Sequence, residues 1–205
     1  MDIYLYGSGG HAKVILDIFY QQGKSVKALV DDNPPSKINK IHVNKIHGVP
    51  IYQASEILPT ISPKNSRWIV AIGNNRIREQ IALKLENQGY SFTTAIHPSA
   101  RIALGTEISP GTVVMANTVI NTDTKIGSHV IVNTGALIDH DCNIKDYSHI
   151  SPGCTLCGHV SIGKSTLLGA GSTVSPCIEI GEQTNCPPGS IIIEPLISSY
   201  TAGIV

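Results

Sequence analysis

The chain has 205 residues, a formal net charge of zero and a pI near 7.1, with 41% hydrophobic and 15% charged residues. That balance supplies a core for one domain or two small ones and withholds the basic field that nucleic acid or an anionic membrane surface requires, so small molecules are the expected partners. No apolar run is long enough to span a bilayer, and Met1-Asp2-Ile3-Tyr4-Leu5 enters a strand without a basic leader region, so a cytoplasmic location is expected.

Ile3-Tyr4-Leu5-Tyr6 reads as a buried strand, Gly7-Ser8-Gly9-Gly10 as a tight loop, and His11 to Gln22 as a helix with Val14, Ile15, Ile18 and Phe19 on its apolar face. Val26 to Val30 reads as a second strand that ends at Asp31-Asp32. After Pro34-Pro35 and a short stretch near Ile51, Trp68 to Ile72 makes another strand, followed by Gly73-Asn74-Asn75 and a helix from Arg76 to Gln88. Residues 1–95 therefore read as a Rossmann-like α/β domain in which strand ends, glycine loop and helix N-terminus form an anion site for a diphosphate. Gly7-x-Gly9-x-x-Ala12, with Asp31 further along, also fits a loose dinucleotide fingerprint, which makes an NAD-binding oxidoreductase a competing reading. The unit is short for a dinucleotide fold and the half that follows has no hydride-transfer pattern, so a nucleoside diphosphate suits it better.

From Ile96 the pattern changes. Every sixth residue is aliphatic from Ile96 to Ile180, and Cys186 and Ile192 continue the series. Four places after each stands a mostly small residue, among them Thr112, Thr118, Thr124, Ala136, Cys142, Ser148 and Cys154. A period of six is neither helical nor a simple alternation; three hexads per coil, each a short strand and a turn, bring all the aliphatic positions into the middle of a triangular prism. Residues 96–205 are therefore expected to form an all-β parallel β-helix. Gly105, Gly111, Gly127, Gly163, Gly169 and Gly181 suit its corners, where positive φ or close backbone approach is needed. The five cysteines all lie in this half; their odd number argues against a disulfide framework, and Cys154-x-x-Cys157 has neither the second pair of a zinc ribbon nor a redox fold around it. They are expected to be reduced packing residues. A solenoid that serves only as a scaffold is the bland alternative.

Five stretches together resemble one family. They are Tyr6-Gly7-Ser8-Gly9-Gly10-His11-Ala12-Lys13-Val14, Asp31-Asp32-Asn33, Ala71-Ile72-Gly73-Asn74-Asn75 with Arg78, His97-Pro98-Ser99-Ala100, and Asn133-Thr134 leading to Asp139-His140-Asp141-Cys142. Over nearly its whole length the chain is similar to the sugar O-acyltransferases that include sialic acid O-acetyltransferase and the bacillosamine-pathway sugar-nucleotide N-acetyltransferase. The resemblance implies a left-handed winding of the β-helix, a homotrimer with active sites between subunits, acetyl-CoA as donor, and a nucleotide-linked amino sugar held by the N-terminal domain. It implies His140 as catalytic base and Asp141 as the acidic neighbour that tunes it. It also implies Asn133, His149 and Gly158 around the thioester of acetyl-CoA, the last through its backbone N–H. Gly7, Gly9, Gly10, His11, Asp31, Asp32 and Asn74 fall at the sugar-nucleotide site, although His11 has a helix-capping role open to it. Members of the family close with a Gly-x-Pro-Ala-basic tail, where this sequence has Ala202-Gly203-Ile204-Val205.

Acetyl transfer to an amine requires a base for the acceptor proton and a donor for the developing oxyanion, and an imidazole suits the first task. His140 stands two places after the inward Ile138, where a side chain faces out towards a cleft; His129 and His159 read as surface residues. Direct attack of a bound amine on the thioester needs no covalent acetyl-enzyme. No metal is expected: the γ-type carbonic anhydrases place zinc on this solenoid with ligands resembling a histidine pair five apart, and no two histidines after Ile96 have that spacing. The resemblance of Asp31-Asp32 and Gly73-Asn74-Asn75 to the amino-sugar members of the family implies N-acetylation of the 4-amino group of a UDP- or dTDP-linked 4-amino-4,6-dideoxy sugar in surface polysaccharide biosynthesis, with O-acetylation of sialic acid or another sugar hydroxyl as the alternative.

Overall fold

A computed structural model of the chain describes residues 1–34 and 45–196. Pro35 and the tail residues Ala202, Gly203, Ile204 and Val205 lie outside the described residues. The chain divides into two units, Met1–Thr93 and Thr94–Val205.

In the first unit, β1 (Asp2–Tyr6), α1 (Gly10–Gln21), β2 (Val26–Asp31), β3 (Lys45–Ile46), β4 (Val49–Gln53), α2 (Ala54–Ile57), β5 (Ser66–Val70) and α3 (Asn75–Asn87) follow one another. The sheet order is β3-β4-β2-β1-β5, with only the β3-β4 pair antiparallel. The chain builds outward from β1 through β2 to β4 and then returns to the other side of β1 with β5. The strand order thus reverses between β1 and β5, where an open α/β sheet offers a crevice at its carboxyl ends. Trp68 is fully buried in β5, stacked on Tyr4 at 5.0 Å and meeting Tyr90 edge-on at 5.2 Å. On α1 the inward residues are Ala12, Ile15, Leu16, Ile18 and Phe19, whereas Val14 is 41% exposed. The helical repeat explains the correction, because Val14 lies about 160° around the axis from Ala12 and Leu16 and about 40° beyond Ile18, past the edge of the buried arc. The last strand ends at Val70 and not Ile72, since the Ile72 and Gly73 carbonyls turn aside to accept from Arg78 at 3.1 and 3.0 Å.

The second unit is a left-handed parallel β-helix of two-residue strands stacked in three faces. The first face carries Ala95–Ile96, Val113–Val114, Ile131–Val132, His149–Ile150, Leu167–Leu168 and Asn185–Cys186. The second runs from Arg101–Ile102 to Ile191–Ile192, and the third from Glu107–Ile108 to Glu179–Ile180. Pairing such as Ile131 with His149 sets one coil at 18 residues (149 − 131). From Val114 to Ile192 each sixth residue is at most 4% exposed, and only Ile96, Ile102 and Ile108, on the first coil of the stack, are partly open.

The small positions have a physical reason beyond volume. The Thr112, Thr118, Thr124 and Thr166 hydroxyls donate to carbonyls on the adjoining coil, those of Gly127, Asn133, Asp139 and Gly181, at 2.6, 3.2, 2.8 and 2.7 Å. Cys142 and Cys154 fill the same slot and donate through sulfur to Cys157 O at 3.2 Å and Gly169 O at 3.1 Å. All five cysteines are free thiols; burial pushes those of Cys142 and Cys186 up to about 11.

At each corner from Gly105 to Gly189, one residue in six has φ between +56° and +80°. Gly105 and Gly111 meet that need, but Asp141, Tyr147 and His159 are among the non-glycine residues held there as well. Gly127 answers a different need: its φ is ordinary, but a Cβ there would lie 2.7 Å from the Asp146 amide nitrogen of the next coil. His129, expected at the surface, is 1% exposed. Its ring lies over Gly111 and stacks on Tyr147 at 5.2 Å with a 4° interplanar angle, so successive coils bury it between them.

Candidate active site

His140 stands on the turn between the second and third faces, after the strand Leu137–Ile138 and before Asn143–Ile144. The turn is fixed from several sides. The His140 N–H donates to Asp139 Oδ1 at 2.8 Å, and the Asn121 amide one coil back donates to the same oxygen at 2.8 Å. Those two bonds hold the Asp139 carboxyl below its ordinary value. The Asp139 carbonyl accepts from the buried Thr124 hydroxyl, whose oxygen in turn accepts from the Cys142 N–H at 3.1 Å.

The imidazole is half-exposed, and its Nδ1 lies 2.7 Å from Asp141 Oδ2. A carboxylate only accepts, so Nδ1 carries the proton and the neutral ring presents its lone pair at Nε2. Asp141 is also the principal reason that the His140 pKa is raised, since its carboxylate favours the imidazolium. Gly158, one coil on, forms the floor of this site. A Cβ there would lie 2.7 Å from His140 Cε1 and 2.8 Å from Nε2, so only a residue without a side chain leaves the ring in place. His159 completes the group, with Nε2 3.7 Å from Asp141 Oδ2 and its ring perpendicular to that of His140 at 5.3 Å.

Asn133 and His149 form a second group. Asn133 lies at the corner between the first and second faces and His149 on the first face. The Asn133 carbonyl oxygen accepts from the Thr134 N–H at 2.8 Å, which turns the amide nitrogen towards His149 Nε2 at 3.1 Å. An amide nitrogen only donates, so this imidazole accepts at Nε2. The prism therefore gathers His140, Asp141 and Gly158 at one corner and places Asn133 and His149 at another.

In the first unit, the expected sugar-nucleotide residues lie at the carboxyl ends of β1, β2 and β5. Gly7 has φ +115°, and a Cβ there would lie 2.8 Å from Ala71 O, so it closes the turn out of β1 beside the end of β5. Gly9 caps α1 with no side-chain bond, and a Cβ on Gly9 or Gly10 would meet only open space. This leaves the N-terminus of a 12-residue helix beside glycines that a phosphate can approach closely. His11 is the second residue of α1 and not its cap.

The acidic pair is committed to the fold. Asp31 Oδ2 accepts from the Ser8 N–H and hydroxyl at 2.9 and 2.7 Å, and its other oxygen accepts from the Asn33 N–H at 2.9 Å, which ties the glycine loop to the end of β2. Asp32 accepts from the Tyr6 hydroxyl at 2.7 Å and pairs with Lys84 at 3.6 Å. Burial, followed by that bond to Asp32, pushes the Tyr6 hydroxyl well above its ordinary value. Asn74 caps α3, its carbonyl oxygen accepting from the Ile77 N–H at 3.0 Å. Four residues on, the buried Arg78 also donates to Asn75 Oδ1 at 2.8 Å, so one guanidinium holds the whole 72–75 loop. Arg78, Asp139, Asn121, Thr124 and His159 all shape these sites; Arg78 and Asp139 stand in the motifs and Thr124 among the small positions, but the sequence assigns none of the five a part in either site, and for Asn121 and Thr124 the usable signal is a separation of 15 or 18 residues from the 139–142 turn.

Residues 2–85 match the family model described as the PglD N-terminal domain. GDP-perosamine N-acetyltransferase of Escherichia coli O157:H7 is 26% identical over 182 residues, 85% of this chain and 78% of the relative. UDP-N-acetylbacillosamine N-acetyltransferase of Bacillus subtilis (strain 168) is 35% identical over 119 residues, 56% of this chain and 51% of the relative. A crystal structure of a histidine-to-asparagine mutant of perosamine N-acetyltransferase from Caulobacter crescentus, in complex with CoA and GDP-perosamine, is 35% identical with a TM-score of 0.91, covering 98% of this chain and 93% of that one. A likeness at that identity and coverage joins the α/β unit and the hexad solenoid in one protein: the chain belongs to the NeuD/PglD-like family of sugar acetyltransferases and is an acyltransferase.

Proposed function

We propose that the protein transfers the acetyl group of acetyl-CoA to the 4-amino group of a nucleotide-linked 4-amino-4,6-dideoxy sugar, with His140 as general base. The carrying observation is the 2.7 Å contact from His140 Nδ1 to Asp141, which leaves the lone pair at Nε2 on the side roofing Gly158. The amine attacks the thioester carbonyl, Nε2 takes the proton that the nitrogen sheds, and the C–S bond breaks as the thiolate leaves to be protonated as CoA. Asp141 keeps the imidazole in the required tautomer and steadies its protonated form. The Gly158 N–H is assigned to the carbonyl oxygen on which negative charge develops. No cysteine takes part, and direct transfer needs no acetyl-enzyme.

The groups assigned to acetyl-CoA, Asn133 with His149 and His140 with Gly158, sit on different corners of one prism. A homotrimer in which one chain's first group faces the next chain's second group in a groove supplies both to a single thioester. The glycine loop of the first unit, with Gly7, Gly9, Gly10 and His11, takes the diphosphate, while Asp31, Asp32 and Asn74 shape the surrounding loops. Among the described residues no helix is long and apolar enough to cross a membrane, which agrees with an enzyme working in the cytoplasm, where CoA and sugar nucleotides are found.

The base of the nucleotide is a matter for experiment. The family resemblance implies UDP or dTDP, and the relatives that act on or bind GDP-perosamine make it the first acceptor to try. CoA release from acetyl-CoA, measured across GDP-, UDP- and dTDP-linked 4-amino sugars and free sialic acid, tests the proposal. Turnover only with an amino-sugar nucleotide, lost in His140→Ala, supports it. Turnover of sialic acid with no response to any amino-sugar nucleotide refutes it in favour of O-acetylation.

A further inference from the structure

We propose that His140, Asp141 and His159 form a binding site for zinc, and that zinc there inhibits the enzyme. Among the described residues this is the group of histidine, cysteine and acidic side chains that converges closely enough to hold an ion: one ligand atom from each lies within 4.8 Å of the others. Tetrahedral zinc with bonds of about 2.0–2.1 Å sets its ligand atoms roughly 3.3 Å apart. Asp141 Oδ2 is now 2.7 Å from His140 Nδ1 and 3.7 Å from His159 Nε2, one distance shorter than required and one longer. Each side chain is about half exposed, at 47%, 44% and 59%, so small rotations reach the zinc spacing without disturbing packing.

The backbone keeps the three residues in place for this. Asp141 and His159 occupy the same turn position on consecutive coils, both with φ +58°, and the His159 N–H donates to the His140 carbonyl at 3.0 Å. Two imidazoles and one carboxylate suit zinc and its neighbours in the transition series, whereas magnesium and calcium require more oxygen ligands. Three protein ligands leave a fourth position for water. Asp139, fixed at the base of the same turn, adds negative charge beside the ion.

Zinc at this position removes a reactant and does not supply one. Bound to Nδ1, it displaces the imidazole's proton to Nε2, and that nitrogen then has no lone pair with which to accept a proton from the amine. This inhibitory half rests on the proposed role of His140; the binding half does not.

Isothermal titration of the metal-free full chain with zinc chloride tests binding, in wild type, His159→Gln and Cys177→Ser. One zinc per chain is expected, weakened about 10-fold or more in His159→Gln and unchanged in Cys177→Ser. Equal affinity in wild type and His159→Gln, or no binding to wild type, overturns the proposal. Acetylated product is then followed by mass spectrometry, because zinc also binds the free CoA thiol, and each variant is compared with its own zinc-free rate. Zinc is expected to suppress wild type at concentrations about 10-fold below those needed for His159→Gln. Binding without suppression overturns the inhibitory half. A wild-type protein that binds zinc but acetylates no sugar nucleotide in its absence overturns the proposed function and leaves the metal site standing.

Discussion

Gly158→Ala separates the role of the imidazole from that of the amide beneath it. The new methyl would lie 2.7 Å from His140 Cε1, 2.8 Å from Nε2 and 3.3 Å from Nδ1, well inside van der Waals contact. No positive φ opposes alanine at this position, so the backbone accepts the substitution and the strain falls on the ring. His140 is half-exposed and swings outward, which breaks its 2.7 Å bond to Asp141 and moves Nε2 away from its place above the glycine. Stability should change little, with an unfolding temperature within about 4 °C of wild type. The rate should fall roughly 10²-fold or more, because a general base contributes about 10²- to 10⁴-fold and displacement forfeits most of it. Alanine keeps the N–H, so the loss cannot come from a missing oxyanion donor. Gly127→Ala is the contrasting control: its methyl would lie 2.7 Å from the Asp146 amide nitrogen and 3.0 Å from the Lys145 carbonyl carbon, which cannot swing aside. That variant should lose about 1–3 kcal/mol of stability while its folded fraction keeps its activity. Thermal melts and steady-state rates on the two proteins decide the matter. A Gly158→Ala enzyme with wild-type kcat would refute the assignment of His140 in this position as the base.

Three other perturbations test neighbouring parts of the structure. His140→Ala should lower kcat by about 10²- to 10⁴-fold, and Asp141→Asn by less, roughly 10- to 10²-fold, since it disturbs the tautomer and leaves the ring in place; single-turnover rates distinguish the two. Thr124→Val keeps the side-chain shape but strands the Asp139 carbonyl and the Cys142 N–H, so urea unfolding should show a loss of about 1–3 kcal/mol. A thiol reagent added to the native protein should modify the exposed Cys177 first and the half-buried Cys157 more slowly. Cys142, Cys154 and Cys186, buried and with raised pKa, should react only after denaturation, as peptide mapping would show.

Much of the architecture was readable because it repeats. A six-residue aliphatic series admits one economical solution, and the side chains from Val114 to Ile192 point inward in that register. The small positions were legible as small, but not as donors. That Thr124 and Cys142 each bridge to the next coil depends on where a carbonyl 15 residues later comes to rest. In the first unit, β1, α1, β2, β5 and α3 followed from periodicity and glycine loops, whereas β4 was legible only as a short stretch near Ile51 and β3 and α2 were not legible at all. The commitment of Asp31 to Ser8 did not, since two loops distant in sequence meet only once β1 and β2 pair.

The turn residues show what a second pass through the sequence can recover. Once the coil length is known to be 18, residues separated by 18 are vertical neighbours, and the site can be read in columns. His140 then stands over Gly158, Asp141 over His159, and Asn121 beside Asp139. The same step corrects His129: with Gly111 one coil back and Tyr147 one coil on, an aromatic ring between a glycine and a tyrosine is placed to stack and to be covered. His140 has Thr122 one coil back and Gly158 one coil on, neither of them aromatic, so nothing in its column covers the ring from above, and it stays half-exposed, as the proposed general base requires. Two outward histidines of the turns, His129 three places after Ile126 and His140 two places after Ile138, thus meet opposite fates, and the residues 18 places away decide which is covered and which stays open for the proposed chemistry.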